Sequence, residues 1–512
     1  MNNKKLATFC LFLCMAVASR GQNLDESLLF SQYEQGATAR FKAMGNAQTA
    51  LGGDISNIAG NPAGLGFFSN SDISLSLDYF GDKNKATYFG SQTESTRDRF
   101  GLNQLGIVFN MPSMRARGAN LDQGWLNFNI GISYNKTNSF ISNLNYSGQN
   151  NESTIADYMA DPRTGVAHDF GWDAGLVDIG ADNLYFPMGV PNNTQRSFTQ
   201  TKGSQSETNL SFGANYSNKL YLGASVAFSS IDQRSYRRFE EDGYLYAAED
   251  NVVDAGSRFL NPQQGSNDPR FYNELLNSDY YYDDDFEGHT RGAGVNVKLG
   301  LIYRPTDIIR IGLSATTPTW YNMSTDYSDY YGITNFHPET GAEISWYEYE
   351  PEYNSYDYNL RTPYRVNGGI SAVFSKGLIS ADVEFINYKS MKITTDIADL
   401  DMSYAEDIKN TYKGAVNLKV GGEYVVTPQF MVRAGYNHTG NPYENIDYKA
   451  QSITGGIGFR FGNYYVDATY QNWRQEYDTT PYALAADYYV SSPIASVKNT
   501  RNNVFLTLGA KF

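Results

Sequence analysis

The feature that most limits what this chain can become is a period of two. From Asp72 onward, apolar and polar or small side chains alternate through segment after segment. ISLSLDY places Ile73, Leu75, Leu77 and Tyr79 on one face, and QLGIVFNM does the same with Leu105, Ile107, Phe109 and Met111. WLNFNIGISY sets Leu126, Phe128, Ile130, Ile132 and Tyr134 against Asn127, Asn129, Gly131 and Ser133. Such alternation specifies strands with two unlike faces. A strand–turn–strand unit then recurs with drifting sequence: NLSFGANYSNKLYLGASVAF, VNVKLGLIYRPTDIIRIGLSA, VNGGISAVFSKGLISADVEF, VNLKVGGEYVVTPQFMVRAGYN and ITGGIGFRFGNYYVDATYQ. The turns SNK, RPTD, SKG, TPQ and GN carry the residues that tight turns need. With the three early strands and a last one, NVFLTLGAKF, the reading gives fourteen strands.

The two faces decide what surrounds the sheet. One carries Leu210, Phe212, Val295, Val297, Leu299, Leu418 and Val420; the other carries Ser211, Gly213, Asn296, Lys298, Gly300, Asn417 and Lys419. A soluble sandwich would bury its apolar faces between sheets, with no reason to gather its short turns at one end. Here the short turns are read at one end. The polar, Tyr-rich stretches 136–204, 232–288, 320–358 and 476–499 are read as long loops at the other. That asymmetry belongs to membrane barrels. In lipid every backbone polar group must be paired, so a spanning sheet closes on itself. A charge on the lipid face at mid-depth would cost about 2–4 kcal/mol. Accordingly Arg310, Arg433, Arg460, Asp382, Glu384 and Asp467 all take the polar parity. Aromatics gather before the turns at Tyr216, Tyr303, Phe374, Tyr424 and Phe461. The expected fold is an all-β, 14-stranded antiparallel transmembrane barrel spanning 71–512.

Of 512 residues the net charge is −15, which argues against a nucleic-acid partner, since phosphate binding needs clustered Lys and Arg. Residues 1–21 read as a secretory signal: Lys4 and Lys5, an apolar run from Leu6 to Val17, and small residues Ser19 and Gly21 before Gln22. Both cysteines, Cys10 and Cys14, fall inside it, so the mature chain is expected to carry no thiol, disulfide or lipid anchor.

A fourteen-stranded barrel is too wide for its own side chains to fill. The available stopper is residues 22–70, whose Gly- and Ala-rich stretch GGDISNIAGNPAGLGFF suits backbone packed closely against a wall. This segment resembles the N-terminal region of the FadL/TodX family of outer-membrane transporters for hydrophobic compounds. The features that carry the resemblance are Gly36, Ala39, Arg40, Met44-Gly45-x-Ala47, Ala50, Gly53, Asp54 and Ser56. The triplet Asn61-Pro62-Ala63 before the first strand completes them, with the terminal Phe512. The resemblance implies a hatch inside the barrel, and outer loops that catch a hydrophobic small molecule. Release follows through a hatch shift or a lateral gap made by a kink in the third strand. In this chain that strand contains only Gly131, which faces inward, so the kink is not carried over. Arg40, Asp54, Asn61, Pro62, Ala63 and Gly64 are thereby candidates for the hatch and its junction, with Arg40 and Asp54 set to pair with lumen charges.

For the lumen cations Lys298, Arg310, Lys419, Arg433 and Arg460, two readings stand: receipt of a ligand carboxylate, or pairing with Glu423, Asp382, Glu384, Asp467 and the hatch. The Tyr-rich stretches suit ligand capture, a protein partner, or a cap packed on itself. Asp283, Asp284 and Asp285 lack the spacing of a calcium loop and read as a solvated surface loop. No nucleophile–base pair, metal cluster or phosphate loop can be read, so neither catalysis nor a cofactor is expected. The expected function is passive uptake of fatty acid-like or aromatic molecules across the outer membrane of a Gram-negative bacterium. The alternative is a binding or shuttle subunit of a secretion machine. The expected partners are outer-membrane lipid and lipopolysaccharide, and the barrel-assembly machinery through Phe512.

Overall fold

The computed structural model describes residues 24–114, 122–180, 182–246, 275–349, 353–446, 448–485 and 487–512. The signal segment lies outside them. Fourteen strands form the wall. They are β1 Asp72–Tyr88, β2 Ser91–Pro112, β3 Trp125–Ser139, β4 Gly189–Tyr216, β5 Leu220–Leu245, β6 Asp279–Tyr303 and β7 Ile309–Thr316. The rest are β8 Arg365–Phe374, β9 Gly377–Asn387, β10 Gly414–Thr427, β11 Phe430–Thr439, β12 Lys449–Phe461, β13 Tyr464–Thr479 and β14 Ala495–Lys511. Each pairs antiparallel with its neighbours in chain order. The ring closes where β1 meets β14, from Asp72↔Lys511 to Tyr88↔Ala495. Backbone hydrogen bonds between Ser71 and Phe512, 2.9 and 3.1 Å, seal that joint.

The parity read from the sequence holds. Leu210, Phe212, Val295, Leu299, Leu313, Leu418 and Val420 point out of the barrel, while Asn209, Ser211, Asn296, Lys298 and Asn417 point in. The aromatics before the turns form an exposed ring of Tyr216, Tyr303, Phe374, Tyr424 and Phe461, joined by Trp125 and Phe512. This is the outer-membrane type of transmembrane barrel. No helix among the described residues is long and apolar enough to cross a membrane.

The division of turns and loops is less clean than the sequence suggested. β1 and β2 are joined by a two-residue turn, Phe89–Gly90, at the outer end, and the β2–β3 connection at the inner end is longer. Among the described residues, much of the outer stretches read as loops is strand. β4, β5 and β6 run far past the apolar belt, and the hairpin Trp320–Phe336 with Asn354–Arg361 continues the wall beyond β7. Asp283, Asp284 and Asp285 therefore sit on a strand, where alternate residues face opposite ways. Asp283 meets Arg238 and Asp284 meets Arg237, each at 3.1 Å. Above the wall, helices Ile155–Met159 and Val166–Asp173 cover a core that includes Phe170, Phe239, Tyr280, Tyr282 and Tyr482. Many of the outer tyrosines thus pack on one another.

Candidate functional site

Residues 24–31 are helical; the chain then runs through the helix Ala39–Ala43 and two short 3-10 turns, Ile55–Ile58 and Pro62–Phe67. Local capping explains the turns. Asp54 accepts from the Ser56 amide and Asn61 from the Ala63 amide, with Pro62 at the first helical position, where its missing N–H costs nothing. So little regular structure leaves many backbone groups in need of partners. The barrel's inner face supplies them. Asn103, Asn129 and Asn135 donate side-chain amides to the carbonyls of Ala37, Leu65 and Gly36. Ser211, Thr454 and Thr469 donate hydroxyls to Ile58, Ala43 and Ala39.

Inward glycines let the two backbones come this close. A Cβ at Gly456 would lie 2.7 Å from that of Ala43, and one at Gly213 would lie 2.8 Å from the Pro62 carbonyl oxygen. At Gly421 and Gly435 it would overlap the Met44 backbone. These contacts come from strands all round the barrel: Ala39–Ala43 lies on β11 to β14, and Pro62–Phe67 on β3 to β6.

Ion pairs fix the same interface. Arg40 forks onto Glu423 at 2.9 and 3.1 Å. Glu423 also takes Arg433 at 2.6 Å, Arg433 reaches Asp467 at 2.7 Å, and Arg460 completes the chain at 3.1 Å. Lys298, 1% exposed, pairs with Glu207 at 2.6 Å and donates to the Ala59 carbonyl at 3.0 Å. Lys419 pairs with Glu384, and Asp382 accepts from the amides of Gln48 and Thr49. Asn61 bridges inward and outward, donating 2.6 Å to Thr49 and more weakly to Leu301 and Leu313. Ala63 is fully buried, and a side chain at Gly64 would strike Asn57.

One expectation is corrected. Asp54 pairs within the hatch, with Thr38 and Arg40, rather than with a lumen charge. Arg310 meets the hatch, through a ring and not a carboxylate among the described residues: its guanidinium lies 4.8 Å from the centre of the Phe67 ring. The sequence reading also passed over Glu207, Arg365 and Lys136. Arg365 stacks 3.6 Å from the Tyr33 ring centre and lines a polar cavity of about 30 Å³ with Tyr33, Lys298, Glu384 and Lys419. Inward parity was the signal that could have found it. Just beyond, Tyr321, Met323, Tyr358, Leu360, Tyr404 and Tyr412 make an apolar chamber, and Leu28 and Phe30 of the N-terminal helix fill it.

Among the described residues, the wall parts between β2 and β3. β2 and β3 pair from Pro112↔Asn127 to Gln104↔Asn135 and no further. Among the described residues, the outer half of β2 pairs with β1 alone. β3 shifts register between Lys136 and Asn138, stops at Ser139, and resumes as Ser142–Asn150 against β4. The irregularity therefore begins at Lys136 and the strand breaks at Phe140–Ile141, away from Gly131. Gly131 serves the hatch instead: a Cβ there would lie 2.7 Å from Ile58. Behind the parting runs the hatch segment 34–37, with the Glu34 amide on the Thr137 carbonyl at 2.8 Å. Lys136 crosses the parting to pair with Asp78.

Comparison with solved structures matches this architecture. A FadL homologue from Pseudomonas aeruginosa superposes over 94% of this chain and 99% of its own, at 14% identity and a TM-score of 0.54. A variant of the TodX monoaromatic hydrocarbon channel covers 93% and 99%, at 15% identity and 0.51. The chain has the FadL/TodX fold. No protein-family model matches it, and no curated protein does. Within the FadL/TodX fold, the present chain seats its N-terminal segment on the inner face of the wall, packs Leu28 and Phe30 into an apolar cluster, and parts its ladder between β2 and β3.

Proposed function

We propose that the chain is a passive channel of the Gram-negative outer membrane for small hydrophobic molecules, releasing them sideways through the parting between β2 and β3. The carrying observation is the contrast between axial and lateral routes. The axial route is closed by hatch backbone seated on inward glycines and by buried ion pairs on several strands. Laterally the ladder has already opened, and the bars are the 34–37 segment, the Lys136–Asp78 pair and the side-chain hydrogen bonds of Ser95 and Arg97 to Asn143. A ligand enters the aromatic chamber by displacing Leu28 and Phe30, then slides past Lys136 toward lipid. The chamber's tyrosine and methionine lining suits aromatic or long aliphatic compounds. The two solved relatives named above include a monoaromatic hydrocarbon channel, in keeping with this class.

A staple tests the route. The Ser95 hydroxyl on β2 donates 2.8 Å to the Asn143 carbonyl across the parting, and the chain has no cysteine after Cys14. Cells carrying S95C/N143C should lose uptake of labelled fatty acid and toluene when oxidised and regain it on reduction. Uptake indifferent to the staple would refute lateral release. Uptake absent from wild-type cells, together with co-purifying secretion proteins, would favour the shuttle-subunit reading.

A further inference from the structure

On the outside of the wall, the ladder register defines a step from apolar to polar. Phe228 on β5, Val295 on β6 and Trp320 are ladder partners, and all three project outward from the upper edge of the lipid-facing belt. One outward position further along the same strands come Ser230, Ala293 and Asn322, continued by Asn359. The next row is Asp232, Arg291, Ser324 and Asp357. Small side chains above the bulky Phe228 and Trp320 leave a groove of about 800 Å³. That lies within the roughly 300–1,000 Å³ of small-molecule sites. Its floor is fixed, because Ile231, Met323 and Tyr358 point inward into the chamber core beneath it.

We propose that this groove binds the saccharide headgroup of lipopolysaccharide, a reading that rests on the outer-membrane placement of the barrel. Height and chemistry select the occupant. Strands rise about 3.3 Å per residue, so the first row stands one outward step, about 7 Å along the strand, past the last apolar side chain. What lies beside it is the headgroup layer of the outer leaflet. The groove offers hydroxyls, carboxamides and carboxylates, the donors and acceptors that match sugar hydroxyls. Its cation is already engaged: Arg291 pairs with Asp326 at 2.5 Å, so a phosphate gains little from it. Trp320, half exposed at the lower lip, supplies a flat ring at the lipid–water boundary.

The test uses the full chain purified in detergent, with rough lipopolysaccharide carrying inner-core sugars and with lipid A lacking them, bound species counted by native mass spectrometry and ranked by competition. Wild-type protein should hold the core-bearing glycolipid about tenfold more tightly than lipid A. S230W, which fills the groove, and N322A/N359A, which removes its amides, should each bring the two ligands level. Heat-modifiable migration reports barrel closure, and the amide truncations keep the test open should the tryptophan hinder folding. Equal binding of both glycolipids by wild type, or unchanged preference in N322A/N359A, would overturn the assignment. Hydrocarbon uptake should persist in both variants, which separates this site from the channel.

Discussion

The hatch interface and the outer cap solve the same problem of burial by opposite means. Between hatch and wall, many contacts are directional: amide to carbonyl, guanidinium to carboxylate, backbone to glycine, beside small apolar clusters such as Phe41, Met44 and Leu51 on Leu378. Between the cap helices and the extended strands, contacts are aromatic and aliphatic, with a few buried polar links such as Glu241 to Gln195 and Tyr280. Directional contacts fix one position and fail sharply, because a buried polar group without its partner is costly. Apolar packing tolerates more adjustment before position is lost. The N-terminal segment therefore holds one position against the wall, and the cap holds a shape above it.

The comparison can be broken most severely by removing the stopper. Deleting residues 23–60 should raise ion conductance in planar bilayers to that of an open pore, whereas intact-level conductance would show that the lumen is closed elsewhere. Gly421→Val comes next. Its side chain overlaps the Met44 backbone, so conductance should rise severalfold while the barrel still migrates as folded. Glu423→Ala strands Arg40 and Arg433 without their shared carboxylate, and should cost about 3–5 kcal/mol by analogy with broken buried pairs. Faster hydrogen exchange over 38–46 would report it. In the cap, Phe239→Ala should cost about 3–5 kcal/mol of local stability, read as protease sensitivity, with conductance unchanged. The smallest effect concerns Asp329, on the hairpin strand Trp320–Phe336. Burial raises its carboxyl from 3.8 to about 6, with Arg237 opposing. The folded cap then binds more protons than the unfolded one across that window, so its stability falls as pH rises from about 4 to 6. Asp329→Asn should flatten that slope in protease-protection assays.

Much of the candidate site was legible because parity is a local property. Lys298, Lys419, Arg433 and Arg460 had to face inward, since the alternative places a cation in hydrocarbon. Their partners were less legible. Lys298 meets Glu207, 91 positions away, and Arg310 meets a ring instead of a carboxylate. Pairing depends on which strands curve toward which part of the hatch, and no spacing in one strand encodes that. The break in the third strand shows the same limit. Its one glycine, Gly131, faces inward and makes room for Ile58, and the strand breaks beyond it, at a place no local residue marks.

By itself the sequence determined a closed sheet of fourteen strands, its inner and outer faces and a small-residue segment ahead of it, because alternation and small-residue content act within a few neighbouring positions. Only the tertiary structure decided where the wall parts, which charges meet and what fills the chamber. Those outcomes require segments distant along the chain to arrive at one place, and ring closure is what brings them there.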